Sequence, residues 1–132
     1  MTEFKKGYRD DVGIDICLDY DVEFAPFETK VISIGETIPV YLGECVMLCA
    51  RTSAAARGII VNQCPIDPNY TGPIHIIAHN CSKDFVSFPA GTAFAQLYAF
   101  HFEKIHIPVK IKKDGKRGEN NFGSSDGGNL CC

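Results

Sequence analysis

Glu44-Cys45-Val46-Met47-Leu48-Cys49-Ala50-Arg51-Thr52-Ser53-Ala54-Ala55-Ala56-Arg57-Gly58 is the stretch whose reading decides the fold. Cys45 to Cys49 are apolar on both faces, the pattern of a strand buried on both sides by a second sheet or by another subunit. Thr52 to Arg57 then reads as a single helical turn, opened by hydroxyls, filled by alanines and stopped by Gly58. Six residues are too few for a helix to stand alone, so packing must hold this turn.

Outward from there the chain is written in short β-branched and aromatic runs. Strands are expected at residues 14–18, 29–34, 38–42, 59–62, 73–79, 86–88, 93–101 and 105–111, with Gly, Pro, Asn and Asp between them. That punctuation predicts an all-β sandwich or barrel with one short helix turn. With 132 residues the chain is long enough to bury a core of its own. From Asp114 onward glycine is dense and apolar residues thin out, so 1–113 is expected to be the folded domain and 114–132 a flexible C-terminal arm.

A formal net charge of −3 argues against duplex nucleic acid as the main partner, since phosphate binding needs a clustered positive field. Lys110, Lys112, Lys113, Lys116 and Arg117 form one local basic run. No apolar run approaches the roughly 20 residues of a membrane span, and nothing apolar follows the charges of the N-terminus as in a signal peptide. A cytoplasmic or nuclear compartment is the simplest expectation, with the seven cysteines as thiols. Cys45 and Cys49 are four residues apart on a strand, about 13 Å, too far for a disulfide or a shared metal; His75 and His79 are spaced alike. The terminal Cys131-Cys132 could serve as a lipidation signal, but two thiols on a frayed end are the plainer reading.

Several polar islands interrupt the strands. In Asp67-Pro68-Asn69-Tyr70-Thr71-Gly72, Asp at the first position and Pro at the second favour a type I turn. Alone this is ordinary hairpin chemistry; beside Tyr70, a fixed carboxylate could activate a water next to a sugar held on the ring. Arg51-Thr52-Ser53 offers a cation, hydroxyls and helix-start amides to an anion, with only alanines behind them. Arg117 followed by Phe122-Gly123-Ser124-Ser125 sets a cation, a flat ring and two hydroxyls on a polar tail. Asp15 and Gln96 matter by position alone.

Taken in order, Val12-Gly13-Ile14-Asp15-Ile16, Arg51-Thr52-Ser53 with Ala55, Ile66 to Gly72 with Asn80-Cys81-Ser82, Gly91 to Leu97, and Arg117-Gly118 with Phe122 to Ser125 resemble the five motifs of the trimeric dUTPase family. The resemblance spans nearly the whole chain and implies a jelly-roll-like distorted barrel assembled as a homotrimer with sites shared between subunits. It implies hydrolysis of dUTP to dUMP and pyrophosphate, keeping uracil out of DNA and supplying dUMP for dTMP synthesis. Asp67 would be the base that activates water for in-line attack on the α-phosphorus, and Tyr70 would pack against the deoxyribose. Arg51, Thr52, Ser53 and Gln96 would hold phosphates, while Asp15 would help place Mg²⁺ through water. From the tail, Arg117 would reach the γ-phosphate, Phe122 would stack on uracil, and Gly123, Ser124 and Ser125 would close on the phosphates.

Some positions depart from that pattern. The segment from Arg51 to Asp67 is shorter, in a hairpin that in the family reads the pyrimidine; Pro68-Asn69 replaces a second acid; and Asn120-Asn121 replaces a glycine pair. The sister dCTP deaminases also carry Ile-Asp-Pro before an aromatic, but the glutamate and arginine they rely on match Ile77 and Ala56. A dual dCTP/dUTP hydrolase, a deaminase relative and a non-catalytic nucleotide- or protein-binding trimer are therefore the alternatives.

Overall fold

The computed structural model describes residues 2–111 and 115–119. Ten strands run in the order β1 (Phe4–Lys5), β2 (Ile14–Cys17), β3 (Val22–Phe24), β4 (Thr29–Ile34), β5 (Glu44–Ala50), β6 (Ile59–Val61), β7 (Cys64–Ile66), β8 (Ile74–Asn80), β9 (Val86–Phe88) and β10 (Ala93–His101). One short helix, α1 (Thr52–Ala55), follows β5. The strands form antiparallel sheets ordered β1-β2-β10-β5-β7, β3-β9 and β4-β8-β6, giving the all-β, jelly-roll-like architecture expected.

Alternation packs the sheets together. Along β8 the residues Ile74, Ile76, Ala78 and Asn80 are buried while those between them are half-buried. Phe24, Phe88 and Phe94 meet at the centre with ring centroids 5.0 to 6.3 Å apart, two of the contacts edge-to-face and one stacked. Met47, whose strand was expected to be buried on both faces, is only half-buried, as are Cys45 and Cys49 on the same side of β5.

Four expectations need correction. Residues 38–42 are not a strand: Pro39 lacks a ladder donor, and although Val40 is buried its carbonyl serves Asn69 N–H at 3.4 Å. Residues 105–111 are not a strand either; Ile105, Ile107, Val109 and Ile111 lie exposed with no sheet beside them among the described residues. The helix is capped by the extended backbone of Arg51, with no side-chain bond from a hydroxyl, though Gly58 does stop the turn in the left-handed region, at φ 87°. Finally β1, β3 and β7 were not anticipated: all three are only two or three residues long, and Pro65 also masks β7.

Candidate active site

The Asp67 turn is built by its second and third residues. Tyr70 N–H donates to Asp67 O at 3.2 Å, Pro68 fixes the second position, and Asn69 takes φ 64°. A positive φ at the third position makes this a type II turn rather than the type I expected, and asparagine is a side chain that tolerates it. Tyr70 is locked next: its Oη donates to Pro73 O at 2.8 Å, and its ring lies where a Cβ on Gly72 would have to go. Only glycine fits at 72, beneath that ring.

Arg117 comes to this turn from the far end of the chain. Gly118 bridges Tyr70, accepting from Thr71 N–H at 2.7 Å and donating to Asn69 O at 3.1 Å. Arg117 Nε then stands 3.0 Å from Asp67 Oδ2. Asp67, Tyr70 and Arg117 thus share one cavity of ≈ 280 Å³, walled by Leu48, Ile66 and Ile77.

The same cavity holds residues that sequence reasoning did not single out: Asn62, Cys64 and His75. The alternation of β8 could have pointed to His75, because it shares a face with Ile77. Burial holds the His75 imidazole below its ordinary range and pushes the Cys64 thiol up, the latter helped by the charge of Asp67. His79, on the same face, meets Thr29 Oγ1 at 2.8 Å instead.

Asp15, Arg51, Thr52 and Gln96 come together elsewhere, around a polar cavity of ≈ 270 Å³. Strand register explains the grouping, since Gln96 on β10 lies opposite both Asp15 on β2 and Cys49 on β5. Arg51 Nε pairs with Asp15 Oδ1 at 2.9 Å, and Gln96 Nε2 donates to Ala50 O at 2.9 Å. Gly13 leaves room here for the Gln96 amide, since a Cβ would meet its oxygen and push the end of that side chain aside. Ser53 is exposed and lines neither cavity. Phe122, Gly123, Ser124, Ser125 and the Cys131-Cys132 pair lie outside the described residues.

Among the described residues no group of three His, Cys, Asp or Glu converges as a metal site, and no helix is long and apolar enough to cross a membrane. The polar cavity is lined by two carboxylates, Asp11 and Asp15, and so few acidic groups suit a cation that arrives on phosphate oxygens and keeps its waters, which is how Mg²⁺ behaves.

The dUTPase family model matches residues 1–126. The chain is 31% identical over 125 residues to the Pol polyprotein of Equine infectious anemia virus (strain Wyoming), covering 94% of this chain and 11% of that protein. It is 29% identical over 128 residues to the deoxyuridine 5'-triphosphate nucleotidohydrolase of Solibacter usitatus, covering 95% of this chain and 87% of that enzyme. Among solved structures, the native EIAV dUTPase superposes with TM-score 0.72 at 29% identity, covering 84% of this chain and 93% of that one. A Staphylococcus bacteriophage 80alpha dUTPase mutant with dUpNHpp shares the fold at TM-score 0.74 and 19% identity, covering 93% and 90% of the two chains.

Proposed function

Since the chain belongs to the dUTPase family, we propose that it hydrolyses dUTP to dUMP and pyrophosphate. The observation that carries this reading is the meeting of Asp67, Tyr70 and Arg117 around one cavity, on a turn held by its own backbone bonds and by Gly118. In the proposed reaction Asp67 takes a proton from water, and the water oxygen bonds to the α-phosphorus in line. The bond from that phosphorus to the oxygen bridging to the β-phosphate breaks, and pyrophosphate leaves with the electron pair. Tyr70 packs against the deoxyribose. Arg117 exchanges its pairing with Asp67 for the γ-phosphate, because a triphosphate offers far more negative charge than one carboxylate.

Arg51, Thr52, Ser53 and Gln96 hold phosphate oxygens in this reading. Phe122 stacks on the base, and Gly123, Ser124 and Ser125 close over the phosphates from an arm at 114–132 attached to a core at 1–113. The dUTPase family is generally Mg²⁺-dependent; Asp15 would hold the ion through water, and its charge would offset that of the triphosphate.

A homotrimer with shared sites is part of the proposal. Three features support it: the two candidate cavities share no lining residue, the side of β5 and β10 carrying Met47, Tyr98 and Phe100 is not fully covered, and the apolar run 105–111 lies exposed, with no sheet beside it among the described residues. Deamination is the weaker reading. Ile77 stands on the cavity wall where the sister enzymes rely on a glutamate, and Ala56 is exposed away from that wall.

The test is pyrophosphate release from dUTP, dCTP, dTTP and UTP with Mg²⁺. Turnover of dUTP alone, lost by a factor of about a thousand or more in Asp67→Asn, is the expected result. Equal rates on dCTP would establish a dual hydrolase, and no release from any nucleotide would leave a binding protein.

A further inference from the structure

The Asp67 cavity opens where two strands part. The ladder between β6 and β8 ends at Val61 opposite Ala78, and the chain crosses to the other sheet as β7, which pairs with β5. A segment from the far end of the chain is attached there at three points. Thr71 N–H and Asn69 O bond the two backbone groups of Gly118, and Asp67 takes the guanidinium of Arg117. Gly118 meets both backbone partners with φ 60°, in the left-handed region.

This attachment sets up a competition. Arg117 lines the cavity, and its Nε stands against Asp67 Oδ2, so a guanidinium holds one of the two oxygens with which Asp67 would accept a proton from water. A part-exposed ion pair is weak by itself, but here it acts on the same short segment as two backbone hydrogen bonds. The pair is also open to exchange. An uncharged nucleoside brings nothing to draw the guanidinium away, whereas a triphosphate brings several negative charges and many acceptor oxygens.

We propose that Arg117 and Gly118 form an autoinhibitory latch on the Asp67 turn of their own chain, closed without nucleotide and released when phosphate draws Arg117 away. A closed latch weakens every ligand of the cavity in proportion to the fraction of chains left open. A triphosphate regains that loss through its own contact with Arg117, and a nucleoside does not. Once pyrophosphate has left, the guanidinium returns to Asp67. This inference rests on the proposed function insofar as it takes the nucleotide to lie in the Asp67 cavity and Arg117 to meet its phosphate.

The experiment compares wild type, Gly118→Ala and Arg117→Gln in two ways: amide exchange at Thr71 without nucleotide, and calorimetric binding of deoxyuridine and of an α,β-imido analogue of dUTP with Mg²⁺. A Cβ at 118 meets nothing within 4 Å, so Gly118→Ala acts through its left-handed backbone alone. Thr71 is exposed, yet in wild type its amide is expected to exchange at least about tenfold more slowly than in an unstructured peptide, and about five- to tenfold faster in Gly118→Ala than in wild type. Deoxyuridine is expected to bind about five- to tenfold more tightly to both variants. Arg117→Gln is expected to weaken the imido analogue about tenfold, and these opposite signs set a latch apart from a merely structural role, which would weaken both ligands. A Thr71 amide that exchanges as in a peptide, or a measured deoxyuridine affinity unchanged or weakened in both variants, overturns the proposal. If wild type binds neither ligand and releases no pyrophosphate, the hydrolase reading fails separately, and exchange at Thr71 alone decides for or against the latch.

Discussion

Two glycines act on side chains rather than on backbone freedom. Gly72 yields its Cβ space to the Tyr70 ring and Gly13 yields its own to the Gln96 amide, so each keeps a candidate ligand where it is. Gly72→Ala is therefore expected to displace Tyr70 while leaving Asp67 in place. Misplacement of a positioning group by about 1 Å can cost about a hundredfold in rate. Steady-state kinetics should show a loss in kcat/KM of about that order for Gly72→Ala and none for Gly35→Ala, which meets nothing within 4 Å. His75 makes a pH prediction of opposite character. Its folded pKa lies below its ordinary 6.5 because burial penalises the charged ring. As pH falls through 6.5 the unfolded chain takes up a proton that the folded chain refuses, so the contribution to stability is full above that value and lost below it. Urea unfolding from about pH 7.5 down to about pH 5 should show this loss in wild type, and a smaller one in His75→Leu.

At the scale of elements, two turns invite comparison. Glu28 N–H donates to Ala25 O at 3.1 Å across Pro26 and Phe27, and Phe27 takes φ 60°. The Asp67 turn has the same form, but there asparagine fills the position that needs a positive φ. An exposed phenylalanine in that conformation is strained by about 1–2 kcal/mol. Phe27→Gly is expected to raise unfolding free energy by about 1 kcal/mol, less than the full strain because glycine also loosens the unfolded chain. No gain in a urea titration would mean that the phenylalanine ring contributes as much as the strain costs. Nearby, buried Asn80 donates to Ala25 O and Asp84 O at 3.1 and 2.7 Å while its Oδ1 accepts from Ser82 N–H and Oγ at 2.9 and 2.8 Å. Its place in the third motif is thus structural: it ties the loop before β4 to the loop before β9. The Asp67 turn, though not its type, was legible in sequence because Asp and Pro act locally. β7 was not, since Pro65 is tolerated only because this strand lies at a sheet edge, which the sequence does not state. Residues 105–111 failed the other way, because an apolar run needs a neighbour before it is a strand. Of the candidate site, Asp67, Tyr70 and Arg117 were legible as motifs and meet in space, while His75 and Asn62 join them through the parting of β6 from β8, a tertiary event.

For the whole molecule, the decisive feature is that Arg51, Thr52 and Gln96, expected to hold phosphate, lie around a different cavity of the chain from Asp67, expected to do the chemistry. A single triphosphate touching both sets requires either one chain that rearranges or two copies that meet. Copies meeting through a closed symmetric assembly would place the Asp67 cavity of one against the Arg51 cavity of the next. These alternatives differ in what a mixture of defective proteins does. Asp67→Asn and Arg51→Gln, each alone, are expected to lose nearly all turnover. If sites are shared, dissociating and reassembling the two variants together at equal amounts creates sites with Asp67 from one copy and Arg51 from its neighbour. Random assembly makes about a quarter of all sites intact, so turnover should rise to about a quarter of wild type. Light scattering should give the mass of three chains before and after mixing. If each site is completed within one chain, every site in the mixture keeps one defect and activity stays at the level of the separate variants. That outcome would make the separation of the cavities a feature of the free chain that substrate must close, and would remove the main support for a shared site.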